Sequence, residues 1–471
     1  MSGLLIRGGT VVTADGRASA DLLIRDEKVV AVGPDLAGEE GDSVLDAEGC
    51  LIMPGLVDAH VHMALDTGIY RTDDDFGIGT RSAAAGGVTT IVDFATQLAG
   101  QTPAEAVYLR RQEADPLVYI DYGLHCMITD FPVGAEPSLD ELVAVGVPSV
   151  KVYTTYRPNY FCDDAKLLRI MRAAGEARAL VMVHAENDPM VTEATETLVA
   201  AGRTGLQYHA VARPALAEAE AVHRCLFLAR VAGACLFVVH CSTPGAVRLI
   251  RAARDAGQCA IAETCPQYLL FSDDVYFGSR AEWYIMQPPI RSDDLRQELW
   301  NLVTQGDVDS IGTDHCDYAL TQKRATGQFT STPGGIPGVE TLLPLLYTYG
   351  VEAGRLSLER LVALTSTNPA RIYGLYPRKG SLAPGADGDV VVYDPRGRGS
   401  IEAAAQHTIG GYTPYDGFAI TGQVKATVSR GRVVYMDGQI HGEAGQGRFV
   451  PGAPFDSSVV ATLSPRTDSR S

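Results

Sequence analysis

LIMPGLVDAHVH, running from Leu51 to His62, decides the reading of this chain. An apolar, strand-like run passes through Pro54 and Gly55 and ends in two imidazoles two residues apart. Residues two apart in a strand share a face, so Asp58, His60 and His62 point the same way. Two imidazoles at that spacing can grip one borderline cation such as Zn²⁺. A bare H-x-H is a weak signal and is more often structural. Four further apolar runs carry a candidate ligand: Lys151 in SVKVYTT, His184 in LVMVHAE, His240 in CLFVVHC and Asp314 in SIGTDHC.

Working outward, strand-like runs alternate with helix-like stretches. The runs are LIMPGLVDA, VTTIVDFA, YIDYGLHCMI, SVKVYTT, LVMVHAE, CLFVVHCS, CAIAETCP and SIGTDHC. Helical patterns such as Ala165 to Ala179 and Pro244 to Gly257 lie between them. Eight apolar strands with helical crossovers predict a parallel TIM (β/α)8 barrel. A doubly wound open sheet would place a Gly-rich phosphate loop after its first strand, and none is there. TPGGIPGVE lacks the G-K-[ST] ending of such a loop. In a barrel the C-terminal strand ends share one face, which gathers His60, His62, Lys151, His184, His240 and Asp314 from strands one, four, five, six and eight.

The two chain ends have another texture. LLIRGGTVVTADG, ADLLIRDEKVVAVG and SVLDAEGCLIMPG early, and GDVVVYDP and KATVSRGRVVYMDG late, are short strands closed by turn residues. The expected organisation is a small β-sandwich domain from 1–52 and 378–450, a barrel over 53–377, and a tail, 451–471, that is mobile or engaged in subunit contacts.

Lys151 stands in the middle of an apolar run, where an unpaired ammonium is costly. Its pattern leaves two readings open. It extends to water or pairs with an acid, or burial lowers its pKa and the neutral amine takes up CO₂ as a carbamate. A lone strand-end histidine such as His184 or His240 is commonly a satisfied core group. An ionised Asp314 at a strand end needs a cation or several donors. Their coincidence at one barrel face points to a binuclear metal site.

A formal net charge of -18 argues against nucleic acid as a general partner. The N-terminus has no signal-peptide core, and no apolar run is long enough to span a bilayer. Nine cysteines without a C-x-x-C pair predict reduced thiols and a cytoplasmic protein.

The pattern D-A-H-V-H, Lys151, V-H-A-E, V-V-H and G-T-D-H-C resembles the amidohydrolase superfamily. More narrowly it is similar to the cyclic amidohydrolases, the hydantoinases and dihydropyrimidinases. AETCPQYL (Ala262 to Leu269), QPPIR (Gln287 to Arg291), PGVE and YTPYDG (Tyr412 to Gly417) extend the likeness over roughly Gly3 to Phe449. The resemblance implies two divalent ions, zinc first with manganese or cobalt as alternatives. His60, His62 and Asp314 would hold one and His184 and His240 the other, bridged by N6-carboxylated Lys151. It implies attack by an activated water on a ring amide, proton transfer by Asp314 and stabilisation of the carbonyl oxygen by Tyr156. The product would be an open-chain ureido acid, and the assembly a homotetramer.

Two positions depart from hydantoinases: Gln287 stands where a small hydroxyl residue is usual, and Gly334 where an Asn is usual. Both fall where the family contacts the polar edge of its substrate ring. The loops Leu65 to Phe76 and Tyr156 to Cys162 would share in selectivity. Three rivals remain. Dihydroorotases place an Arg after the H-x-H pair, whereas Met63 and Ala64 follow His62 here. Allantoinases share fold and motifs. Non-catalytic dihydropyrimidinase-related assembly proteins lose ligands that this chain keeps.

Overall fold

Gly55 splits the run quoted above into two strands that belong to different sheets. In the computed structural model, which describes residues 3–463, the early strands are β1 (Leu4–Thr13), β2 (Gly16–Arg25), β3 (Lys28–Gly33), β4 (Ser43–Asp46) and β5 (Leu51–Pro54). The middle strands are β6 (Leu56–Asp58), β7 (Val88–Thr96), β8 (Asp121–Met127), β9 (Ser149–Tyr153), β10 (Leu180–His184), β11 (Leu236–Val238), β12 (Ala260–Thr264) and β13 (Ser310–Ile311). The late strands are β14 (Val390–Ser400), β15 (Ala419–Ser429), β16 (Arg432–Met436) and β17 (Gln439–Ile440). The single strand expected over LIMPGLVDA is thus corrected to β5 and β6. A Cβ on Gly55 would collide with the Thr89 side chain, so only glycine lets the chain change sheets there.

β6 to β13 form one parallel sheet in chain order. A single parallel bridge, Val61 to His315, joins its two ends and closes the barrel. Every residue of β8, β10 and β12 is buried, as a barrel strand covered on both faces must be. Helices cross between the strands. The helix Asp164–Glu176 starts at Asp163, whose side chain accepts from Lys166 N, and buries Leu167, Ile170, Met171 and Ala174 on one stripe. Pro244–Asp255 is capped by Thr243 in the same way.

The two chain ends build one nine-stranded mixed sheet, β17-β16-β15-β14-β5-β1-β2-β3, with β4 beside β1. Its seam is β5, antiparallel to β14 with Leu51–Pro54 opposite Tyr393–Val390 and parallel to β1. A buried charge cluster ties this sheet to the barrel. The Lys379 ammonium lies 2.6 Å from Asp121 at the start of β8, 2.6 Å from Asp389 and 2.9 Å from Asp387.

The C-terminal stretch runs under the strand starts of the barrel. Gly452 N donates to Gly146 O, Phe455 N to Arg178 O, and Asn368 Nδ2 to Leu463 O. The part of the tail expectation that falls on 464–471 lies outside the described residues. Among the described residues no helix is long and apolar enough to cross a membrane.

Cys235 and Cys259 form a disulfide. That corrects the expectation of nine reduced thiols. The two residues precede the neighbouring parallel strands β11 and β12, and their Cα atoms lie 4.7 Å apart, within reach of a bridge. The other seven cysteines are buried free thiols.

Candidate metal centre and active site

His60 and His62 follow β6, Lys151 lies within β9, His184 ends β10, His240 follows β11 and Asp314 follows β13. All six therefore stand at the C-terminal mouth of the barrel, and the structure brings them together. Asp314 Oδ1 is 3.1 Å from His60 Nε2 and 3.3 Å from His62 Nε2. Lys151 Nζ is 2.8 Å from His60 Nε2. His184 Nδ1 and His240 Nε2 face each other at 3.0 Å. The His60 and His240 rings stack with centroids 5.4 Å apart, joining the two halves. His240 (φ 38°), Asp314 (φ 53°) and Tyr156 (φ 74°) all hold left-handed backbone, a strain that concentrates at functional sites.

Two buried carboxylates decide which ring nitrogens are free. Glu263 Oε1 lies 2.7 Å from His60 Nδ1, and Glu186 Oε2 lies 2.8 Å from His184 Nε2. A carboxylate accepts, so those nitrogens carry the protons. His60 Nε2 and His184 Nδ1 are left as lone pairs aimed into the cluster. Such carboxylate-oriented imidazoles are the usual ligands of borderline divalent ions. His62 Nδ1 and His240 Nδ1 are buried without a partner. Four imidazoles, one carboxylate and one amine thus fit a pair of divalent ions by donor chemistry.

The electrostatics agree with that set. Burial drives the His62 pKa down to about 3 and His240 well below its ordinary value, which keeps both neutral. Burial also lowers Lys151 to about 8, although Asp314 and Glu263 pull the other way. Burial works to raise Asp314, but His60 and His62 hold it well below the usual carboxylate range.

Tyr156 packs its ring 4.9 Å from that of His184, and its hydroxyl oxygen accepts from Arg213 Nη2 at 3.3 Å. Gln287 and Gly334 meet each other: the Gln287 amide fills the space that a Cβ on residue 334 would need. Sequence reasoning quoted Glu186 in V-H-A-E and Glu263 in AETCPQYL without assigning either a role. The available signal is an acid within a strand-end motif, which for Glu186 stands two residues after His184. Arg213 carried none, because its partners are far away in the chain.

The match to known proteins settles the family. The model of the amidohydrolase family covers residues 51–434. The chain belongs to the amidohydrolase family. This amidohydrolase is 40% identical to the D-phenylhydantoinase of Escherichia coli O1:K1 / APEC, over 97% of its own length and 100% of the relative's. The crystal structure of dihydropyrimidinase from Brevibacillus agri NCHU1002 superposes with a TM-score of 0.93 at 37% identity, covering 96% of this chain and 99% of that one. The L-hydantoinase (dihydropyrimidinase) from Arthrobacter aurescens superposes with a TM-score of 0.88 at 32% identity, covering 96% and 100%. The likeness spans both the barrel and the sheet made by the chain ends.

Proposed function

We propose that this cyclic amide hydrolase opens a hydantoin- or dihydropyrimidine-type ring at one C–N bond and releases an N-carbamoyl (ureido) acid. The observation that carries the reading is the convergence of His60, His62, Lys151, His184, His240 and Asp314, with Glu263 and Glu186 fixing two ring tautomers. In it, His60, His62 and Asp314 would hold one divalent ion and His184 and His240 a second, zinc foremost. Lys151, carboxylated on Nζ, would supply both with an anionic donor. Its burial and lowered pKa support that modification, because only the neutral amine adds to CO₂. Two such ions, when bound, activate water at neutral pH and polarise a carbonyl.

The protein's own groups do the rest. Asp314 takes the proton released as water attacks the ring carbonyl, then delivers it to the departing nitrogen. The Tyr156 hydroxyl donates to the carbonyl oxygen as charge develops there. Gln287 and the backbone at Gly334 face the polar edge of the ring. Gln287 can donate and accept there. The loops Leu65 to Phe76 and Tyr156 to Cys162 shape the space for a substituent. A cytoplasmic homotetramer completes the reading. Exposed Leu216, Phe227 and Val231 on the helix Ala215–Ala232 support an assembly.

The test is a metal-loaded assay against hydantoin, 5-substituted hydantoins, dihydrouracil, allantoin and dihydroorotate. Turnover of hydantoins or dihydrouracil is expected. Preference for allantoin would move the chain to another cyclic ureide. A fully metallated protein that opens none of these rings would defeat the proposal.

A further inference from the structure

Arg213 joins Glu186 and Tyr156, both of which lie against His184. Its Nε lies 3.1 Å and 3.2 Å from the two Glu186 oxygens, and its Nη2 lies 2.6 Å from Glu186 Oε2. The same Nη2 reaches the Tyr156 hydroxyl at 3.3 Å, and the guanidinium carbon sits 5.3 Å from the Tyr156 ring centre. Glu186 in turn holds His184. The Arg213 carbonyl accepts from Arg291, which is itself bonded to Ser242. A continuous chain therefore runs from His184 through Glu186 and Arg213 to Tyr156.

The donor count gives this chain a direction. A guanidinium has five N–H donors and no acceptor. The Tyr156 oxygen must therefore accept from Arg213, which leaves its own proton free. Burial raises the phenol pKa most, and the Arg213 charge beside it works the other way. Arg213 is itself anchored on both Glu186 oxygens, through Nε and Nη2, which fixes the guanidinium beside the phenol. Tyr156 also sits at φ 74°, a conformation that needs its surroundings to hold it.

We infer that Arg213 is a positioning residue: anchored on Glu186, it donates to the Tyr156 oxygen and so leaves the Tyr156 proton free for the carbonyl oxygen of the ring. The inference rests on the function proposed above. It adds that one guanidinium, anchored on the carboxylate that orients His184, sets the direction of the Tyr156 donor.

The test is a double-mutant cycle on the full-length, metal-loaded protein. Arg213→Lys keeps the charge beside Glu186 but loses the fork. It is expected to lower kcat roughly tenfold, with KM within about threefold. Metal content by elemental analysis should stay at the wild-type level. In the Tyr156→Phe background the same substitution should cost no more than about twofold in kcat, because the donor it directs is gone. Should the Lys variant fail to fold, Arg213→Gln, which keeps amide donors toward Glu186, carries the same cycle. Equal fold-losses in both backgrounds overturn the inference, as does a loss of metal in step with kcat. Those outcomes leave the hydrolase reading standing. A metallated wild-type protein that opens no ring in the panel overturns both.

Discussion

Deleting the Lys151 amine probes the centre most directly at the scale of one residue. Its Nζ is 2.8 Å from His60 Nε2 and lies over the Phe94 ring at 4.3 Å from the centroid. Lys151→Ala is expected to remove bound metal and to lower kcat by at least about a thousandfold. Elemental analysis with and without added bicarbonate checks this, and a variant with full metal and full rate would refute it. Tyr156→Phe removes one donor and should lower kcat by about 10²–10³ while metal content stays put. Gln287 and Gly334 form a compensating pair, since the long amide occupies the room that the missing side chain vacates. Gly334→Ala alone should therefore raise KM and reduce stability. Combined with Gln287→Ser it should cost much less. Additive effects in that cycle, read in KM and thermal midpoint, would show the two positions to be independent.

At the scale of elements, each candidate ligand depends on the strand end that carries it and on the helix that covers that strand. The helix Asp164–Glu176 follows β9 and buries Leu167 at zero exposure. Leu167→Ala should cost about 2–5 kcal/mol by transfer and cavity terms, and loss of the Asp163 cap about 1 kcal/mol. Denaturant titration reads both, and metal content of the folded fraction should not change. The barrel strands were legible because each is an apolar run of the right length with a turn at its end. The change of sheet at Gly55 was not legible. Pro54–Gly55 looks like an interruption within one strand, and only Thr89 from the neighbouring strand shows why glycine is required there. The Cys235–Cys259 bridge escaped for a like reason. The cysteines are 24 apart in the chain and become neighbours only through strand pairing.

Across the whole molecule, Lys379 is the clamp between barrel and terminal sheet. Burial acts to lower its pKa, but Asp389, Asp121 and Asp387 raise it above 10.5. A raised ammonium pKa stabilises fully below 10.5 and is lost as pH climbs past that value. Asp387, opposed by burial but held down to about 2 by Lys379 and Lys28, stabilises above 3.8 and loses this as pH falls toward 2. Asp389 runs the other way, because burial raises it. Unfolding free energy should therefore drop at both extremes. Lys379→Met should cost roughly 3–5 kcal/mol near neutrality, because Asp389 loses its ammonium partner while Asp121 keeps Arg430 and Asp387 keeps Lys28 and Arg378. The gap to wild type should narrow on acidification as those acids take up protons. Denaturation at several pH values checks the sign, and a gap that widens toward acid would contradict it.

By itself the sequence determined the barrel, the late return of the chain to its first sheet, and the six candidate ligands. Those features are written in local patterns: apolar runs of strand length, and metal-binding side chains at their ends. Only the tertiary structure decided which nitrogens of His60 and His184 are free, where Gln287 rests, which cysteines pair and what Arg213 holds. Apart from His184, oriented by Glu186 two residues on, each of these depends on a partner tens or hundreds of residues away, brought within hydrogen-bonding or bonding distance only when the strands close into a cylinder.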